Sequence, residues 1–148
     1  MRNLVNRGFT PRQIRRWETR IGELVDECLA QIGSTLKEML GRQGDLVARY
    51  GGGEFAVVMS RTDRQHASRV GHRICAAVEN LAMAHPDSDV SSCVTVSVGV
   101  CTSTPATDSN WEELELVAGA NKALTLAKKQ GRNRIDAVEG QPENPNLE

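Results

Sequence analysis

Two groups of residues in the middle of this sequence have side chains, or lack them, in ways that could serve contact with a ligand. Arg42 and Asp45 are separated by two residues, and a few residues later three consecutive glycines, Gly51 to Gly53, precede Glu54. The arginine can form a two-pronged contact with a phosphate, and the carboxylate can accept hydrogen bonds from N–H groups. Three glycines let a ligand approach the backbone closely. Because the net charge of the chain is only −1, any site for an anion must be local.

A β-hairpin is predicted to position both groups. The β-prone apolar runs 46–50 and 55–59 meet at the glycines, so residues 51–53 form the turn. Upstream of the hairpin, apolar residues recur at steps of three and four, which predicts one helical stripe that faces a sheet. The stripe consists of Leu24, Cys28, Ile32, Leu36, Met39 and Leu40, and the helix ends at Gly41 and Gly44.

Capping residues and apolar periodicity predict the remaining helices and strands. Helices and strands alternate without an internal repeat. In chain order, the predicted elements are a helix start at Thr10 and Pro11, the stripe-bearing helix, the hairpin, a helix from Thr62 and Asp63, a strand over 93–102, a helix capped by Asn110 and Glu113, a strand over 132–138 and a disordered tail over 141–148.

The composition excludes several classes of protein. The chain has 148 residues, of which 25% are charged and 39% hydrophobic, as expected for one soluble globular domain. Its net charge of −1 gives the whole molecule no field that attracts nucleic acid or a membrane surface. No apolar run is long enough to span a membrane. The four cysteines occur singly, which favours reduced thiols in a cytoplasmic protein over disulfides or zinc ligands.

Four motifs together resemble the GGDEF family of diguanylate cyclases. They are Arg42-Gln-Gly-Asp45, the signature Gly51-Gly52-Gly53-Glu54-Phe55, the strand Val94 to Val100, and Ala127-Lys-Lys-Gln-Gly-Arg-Asn-Arg134. The resemblance implies an α+β, ferredoxin-like palm, in which an antiparallel sheet carries flanking helices. It also implies a domain over residues 22–138, between an arginine-rich segment 1–21 and a tail 139–148. The family's first, central strand has no counterpart in this sequence.

The chemistry implied by the family requires carboxylates that this sequence lacks. A diguanylate cyclase joins two GTP molecules and needs divalent metal ions, here Mg²⁺ or Mn²⁺ if the domain is active. The family's metal ligands are an aspartate of the first strand and the third signature residue, which is Gly53 here. Glu54 is left as the one weak candidate for catalysis and metal binding. Loss of one charge-stabilising group typically lowers a rate by ~10²–10³, so low or absent cyclase activity is expected.

Three further residues match positions that contact GTP in the family. Asp26 matches the aspartate that contacts guanine, and Lys128 and Arg132 match residues that contact the terminal phosphates. A simpler interpretation remains open for each of them. Asp26 is then an acid on the helix surface, and the two cations complement the carbonyl end of a helix.

A second family site is better preserved. Arg42 and Asp45 match the Arg-x-x-Asp inhibitory site that binds the product, cyclic di-GMP, and Arg73 matches a further arginine of that site, with Arg69 one helical turn before it. Arg42 can contact a phosphate or a guanine edge, and Asp45 can accept from guanine N–H groups. The alternative is a turn in which Asp45 caps loop amides while the arginines are solvated.

The sequence therefore favours a degenerate GGDEF domain that binds cyclic di-GMP as a receptor or regulatory partner. One alternative is a diguanylate cyclase that retains activity, binds GTP and works as a homodimer or with an intact GGDEF domain. Another is an inactive, truncated remnant, since loss of a central strand exposes two sheet edges. Two alternatives to the remnant are that the arginine-bearing first helix covers the gap or that two chains pair their open edges.

Overall fold

The computed structural model describes residues 11–103 and 113–139 of the chain. The sequence-predicted caps at Thr10 and Asn110 and the tail 141–148 lie outside these residues. Within them, no helix has the length and apolar composition needed to cross a membrane. The elements are α1 (Pro11–Met39), β1 (Leu46–Gly51), β2 (Glu54–Val58), α2 (Arg64–Asn80), β3 (Val98–Thr102), α3 (Glu113–Lys129) and β4 (Ile135–Glu139).

Helix α1 is one uninterrupted helix of 29 residues. The predicted helix start at Thr10 and Pro11 and the apolar stripe therefore belong to one helix. None of residues 12–39 is a proline that could interrupt it. The stripe is buried only in the C-terminal half of the helix, and Leu24, which was predicted to face a sheet, is instead 55% exposed. The core is formed where this half packs on α2, through Ile32, Leu36, Leu40, Val70, Ile74 and Val78.

Strands β1 and β2 form the predicted hairpin. They pair antiparallel from Leu46 opposite Val58 to Gly51 opposite Glu54, with an irregularity between Arg49 and Gly51. Val47 and Val57 of the hairpin pack against the core cluster. Burial does not alternate along the ribbon: Val47 is half-buried on β1 and Phe55 to Val57 are half-buried on β2, while the other residues of both strands are exposed.

Strands β3 and β4 form a second, parallel pair, from Val98 opposite Ile135 to Thr102 opposite Glu139. The prediction of an antiparallel sheet therefore holds for the hairpin and not for this pair. The pairing is parallel because α3 carries the chain back to the starting end of the sheet, which is the connection that parallel strands require. The close fit of α3 depends on Gly99, since a Cβ there would lie 2.2 Å from the carbonyl oxygen of Ala120.

The predicted strand over 93–102 begins later than expected, at Val98. Cys93 forms an isolated bridge with Ala84, and Val94 N–H donates to Met83 O at 2.8 Å. Residues 94–97 pair with no strand of the described chain, and the two sheets share no ladder there.

All four cysteines are free thiols in the structure. Cys75 is buried on α2, and burial raises the pKa of its thiol, so the group stays protonated at neutral pH. Its Sγ lies 3.5 Å from Val96 O, and the S–H donates to that carbonyl. Cys75 therefore acts as a small core residue that also ties α2 to the unpaired segment before β3.

Candidate functional site

A small cleft lies where the end of α1, the turn before β1 and the first half of α2 meet. We call it the arginine cleft. Its open volume is about 30 Å³, enough for about two water molecules. Three of the four residues predicted to bind cyclic di-GMP line it, namely Arg42, Asp45 and Arg73. The full lining is Met39, Leu40, Arg42, Asp45, Met59, Thr62, His66, Val70 and Arg73.

A single tight turn sets the spacing of Arg42 and Asp45. The N–H of Asp45 donates to the carbonyl of Arg42 at 3.1 Å, so the two residues occupy the first and last positions of the turn. Gly44, the third position, has φ +99°, a conformation that a type II turn requires and that glycine adopts without strain. A Cβ at Gly44 would also lie 2.7 Å from Ser60 Oγ. The glycine is therefore needed for the turn that presents both side chains.

The start of α2 positions the other side of the cleft. Asp63 caps this helix, since its side chain accepts a hydrogen bond from the N–H of His66 at 2.6 Å. His66, Val70 and Arg73 then follow at helical spacing on one face and reach the cleft together. Val70 is buried and anchors this face in the core, while Arg73 is exposed at the opening.

His66 is a cleft residue that sequence reasoning missed. Arg42 Nη1 lies 3.2 Å from its Nε2, and Arg69 Nη2 lies 3.4 Å from its Nδ1. A neutral imidazole has one acceptor nitrogen, so only one of the two guanidiniums is hydrogen-bonded to it in a given tautomer. Arg69 does not line the cleft and instead contacts it through His66. The signal in the sequence was the helical spacing of His66, Arg69 and Arg73.

Polar groups at the cleft remain available for a ligand. Within residues 11–103 and 113–139, the Asp45 carboxylate and the Arg73 guanidinium have neither a hydrogen bond nor an ion pair. Asp45 therefore does not cap loop amides in this part of the chain, as the alternative interpretation required. With Arg42 and Arg69 nearby, the local charge is positive. This combination suits an anion that also carries N–H donors.

The signature loop, Gly51 to Phe55, lies at the other end of β1. Gly52 has φ +49°, and its carbonyl accepts a hydrogen bond from Arg49 Nε at 2.9 Å. Arg49 Nη1 is also 4.0 Å from Asp26 Oδ1 on α1. The structure thus brings Asp26, one of the predicted GTP-binding residues, close to the loop, with Arg49 between them.

Glu54 in this loop is already paired. Its Oε1 lies 3.5 Å from Lys128 Nζ, and both side chains are about half exposed, at 57% and 48%. Lys128 therefore contacts the loop, while Arg134 Nη1 donates to Gln130 O at 3.0 Å at the carbonyl end of α3. Arg132 is exposed and lies three residues beyond the end of α3, with φ +61°. Its side chain has no partner among the described residues.

The residues of the signature loop do not fit a Mg²⁺ or Mn²⁺ site. These ions need oxygen ligands, usually from one or two carboxylates. Gly53 supplies no side chain, and the single carboxylate, Glu54, is paired with Lys128. Across the described part of the chain, no group of three His, Cys, Asp or Glu residues is placed to hold a metal ion. The donor set therefore disagrees with the metal chemistry of an active cyclase.

Comparison with known proteins identifies the family. Residues 20–134 match the protein family described as "Diguanylate cyclase, GGDEF domain". The chain is 31% identical over 121 residues to diguanylate cyclase DgcZ of Escherichia coli K12, covering 81% of this chain and 38% of that protein. It is 33% identical over 110 residues to diguanylate cyclase A of Treponema denticola, covering 74% of this chain and 28% of that protein. The chain thus spans well under half the length of these relatives.

The fold agrees with the same family. The structure matches that of the active GGEEF domain of a diguanylate cyclase from Vibrio cholerae with a TM-score of 0.57. The match covers 80% of this chain and 69% of that one, at 21% sequence identity, and supports the fold alone. The sequence-based family assignment and the α+β fold are thereby confirmed. This chain belongs to the GGDEF-domain family.

Proposed function

We propose that this domain is a degenerate GGDEF domain that binds cyclic di-GMP at the arginine cleft and acts as a receptor or regulatory component. The observation that carries the proposal is the convergence of Arg42, Asp45 and Arg73 on one cleft. Two of these groups, Asp45 and Arg73, have no partner in the described part of the chain. Guanine N–H groups suit Asp45, and phosphate oxygens suit the guanidiniums.

The size of the cleft determines how the ligand would bind. A volume of about 30 Å³ is far below that of a dinucleotide. Cyclic di-GMP would therefore lie across the opening, with one guanine edge on the turn that carries Asp45 and a phosphate near Arg73. Because the site is open and its arginines are exposed, affinity should fall as salt is raised.

Calorimetric titration with cyclic di-GMP tests this proposal. We expect binding to the unmodified chain and an affinity loss of about 100-fold or more in Arg42→Ala, because this change removes a charge-assisted, two-pronged contact. Arg49→Ala is the matched control, since Arg49 is an exposed arginine at the signature loop. Equal affinity of Arg42→Ala and the unmodified chain would disprove the site. Circular dichroism establishes that both variants are folded.

The second candidate function is residual diguanylate cyclase activity. It is supported by the names of the curated relatives and by the position of Lys128 and Asp26 beside the signature loop. Incubation with GTP and Mg²⁺ or Mn²⁺ separates the two functions, since a receptor alone yields no cyclic dinucleotide. We expect no product, because the loop lacks the carboxylates that the metal ions require.

A further inference from the structure

His66 lies between two arginines that compete for its ring. Arg42 approaches from the turn before β1, with Nη1 3.2 Å from Nε2, and Arg69 approaches from α2, with Nη2 3.4 Å from Nδ1. Within residues 11–103 and 113–139, neither guanidinium has another hydrogen-bonded or ionic partner. A change in the state of this one imidazole therefore acts on both arginines.

The position of the proton on a neutral imidazole decides which arginine is held. When Nδ1 carries the proton, Nε2 accepts from Arg42, and the Nδ1–H group faces the guanidinium of Arg69, which offers only donors. When Nε2 carries the proton, Nδ1 accepts from Arg69, and an N–H group faces Arg42 instead. Each tautomer thus holds one arginine and sets N–H groups against the other. The two hydrogen bonds exclude each other.

The surroundings of His66 hold the ring in place while its proton moves. The backbone N–H of His66 donates to the Asp63 side chain at 2.6 Å, and the residue is half-buried. Its neighbours Ala67 and Val70 are buried and fix this part of α2 in the core. Both competing arginines are exposed. The arginine side chains are therefore the parts that respond to a change of tautomer.

We propose that His66 is a two-position switch of the arginine cleft and that an anionic ligand selects one of its two tautomers. The Nδ1–H tautomer holds Arg42 at the cleft, and the Nε2–H tautomer releases Arg42 and holds Arg69. The selection by a ligand rests on the proposed function, whereas the exchange between the two arginines does not.

The tautomer that holds Arg42 is the one that suits a phosphate. In this form Arg42 contacts His66 through Nη1, so its Nε and Nη2 donors remain for a two-pronged contact with a phosphate. Arg69 does not line the cleft. Arg69 therefore competes for the imidazole and does not contact the ligand, and a ligand that takes Arg42 shifts His66 away from Arg69.

Nitrogen NMR of the histidine rings tests the exchange in the free chain. At about pH 8, where an imidazole is ordinarily neutral, the chemical shifts of Nδ1 and Nε2 report which nitrogen carries the proton. Arg69→Ala should raise the ratio of the Nδ1–H to the Nε2–H form of His66 by about fivefold, as expected for the loss of one exposed hydrogen bond. Arg42→Ala should lower the same ratio by about fivefold.

Two controls accompany the NMR measurement. Arg73→Ala removes the same charge from the same helix, and Arg73 makes no hydrogen bond to His66, so this change should leave the tautomer ratio as it is. The ring of His72, which is exposed on α2, should not respond to any of the three substitutions.

Addition of cyclic di-GMP tests the selection by a ligand. Saturation should move the ring of His66 towards the Nδ1–H form, because the ligand binds the form in which Arg42 is held. In a calorimetric titration, Arg69→Ala should leave the affinity within about threefold, since a competitor for His66 is lost and no ligand contact is lost.

Two amide variants fix the switch in opposite positions. His66→Gln places an acceptor oxygen near the position of Nε2, on the side of Arg42, and His66→Asn, one carbon shorter, places it near Nδ1, on the side of Arg69. The glutamine variant should bind cyclic di-GMP within about twofold of the unmodified chain, and the asparagine variant should bind about fivefold more weakly.

Three results overturn the inference: a tautomer ratio that neither Arg42→Ala nor Arg69→Ala changes, a ratio that Arg73→Ala changes as much, and equal affinities of the glutamine and asparagine variants. A chain that binds cyclic di-GMP without a change of tautomer would overturn the selection by a ligand and leave the proposed function standing. A chain that shows the exchange and binds no cyclic di-GMP would disprove the proposed function, and the selection by this ligand with it.

Discussion

The arginine cleft and the signature loop lie at the two ends of β1, and they differ in which side chains are available to a ligand. In the cleft, Asp45 and Arg73 have no partner within the described chain. In the loop, Glu54 is paired with Lys128, and Gly53 has no side chain. One hairpin can therefore keep its backbone at both ends while only the arginine cleft keeps side chains that are available to a ligand.

Two glycines sharpen this comparison. Gly44 in the cleft turn has a left-handed φ of +99°, and a Cβ there would meet Ser60. A Cβ at Gly53 would meet nothing within 4 Å, and its φ is not left-handed. The backbone geometry therefore requires glycine at position 44 and leaves position 53 open to an acidic residue. The missing carboxylate at Gly53 therefore has no structural cause in this chain.

The arginine cleft and the signature loop should differ most in how the removal of a carboxylate from each changes the affinity for cyclic di-GMP. Asp45→Ala should weaken cyclic di-GMP binding by about 30-fold to 100-fold, because the guanine N–H groups lose a charged acceptor. Glu54→Ala, the corresponding change in the loop, should leave the affinity within about twofold, since its pairing with Lys128 is exposed. Calorimetric titration measures both. A larger loss in Glu54→Ala would reverse the assignment of the binding site.

Replacing Gly44 and replacing Gly53 should have different effects on the free energy of unfolding. Gly44→Ala should lower the free energy of unfolding by about 1–2 kcal/mol, because alanine is strained at a left-handed φ. Gly53→Ala should change it by less than about 0.5 kcal/mol, as expected for an open surface position. Urea unfolding followed by circular dichroism gives both values. Similar losses of stability in the two variants would contradict the inference that position 44 requires glycine and position 53 does not.

Removing the imidazole from the cleft should have a smaller effect. His66→Ala should weaken cyclic di-GMP binding by about fivefold, since Arg42 loses a hydrogen-bonded neighbour that holds it at the opening. His66→Gln, which keeps an acceptor oxygen, should recover most of the affinity. Titration of the two variants side by side tests this role. Equal losses in both would show that His66 acts through packing and not through its hydrogen bond.

The smallest effect is expected for the ion pair of the signature loop. Lys128→Ala should lower the free energy of unfolding by no more than about 0.5 kcal/mol, because exposed pairs are screened and flexible. The thermal midpoint should move by about 2 °C or less. Differential scanning calorimetry measures this shift, with Lys129→Ala as the neighbouring control. A shift several times larger would mean that the loop is held in place by Lys128.

The sequence predicted those parts of the fold that depend on local pattern. The hairpin followed from two β-prone runs around Gly51 to Gly53, and the helices followed from apolar periodicity. The late start of β3 at Val98 and its parallel partner were not predicted, because strand pairing depends on which segments meet in three dimensions. The exposure of Leu24 was missed for the same reason.

Some residues of the candidate site were also found from the sequence, and others were missed. Arg42, Asp45 and Arg73 were found from family spacing, and the structure places all three on one cleft. His66 was missed because its contact with Arg42 joins two distant segments of the chain, although its helical spacing with Arg69 was visible in the sequence. The pairing of Glu54 with Lys128 is likewise a contact between distant segments. Such pairings are properties of packing and leave no local signal.

Helix α1 runs without interruption from Pro11 to Met39 at the arginine cleft. A helix of 29 residues is about 44 Å long, and its last residue, Met39, lines the arginine cleft. A tilt of about 5° at the cleft end would move the far end by about 4 Å at this length. Any change of tilt that a ligand imposed beside Met39 would therefore be largest at Pro11.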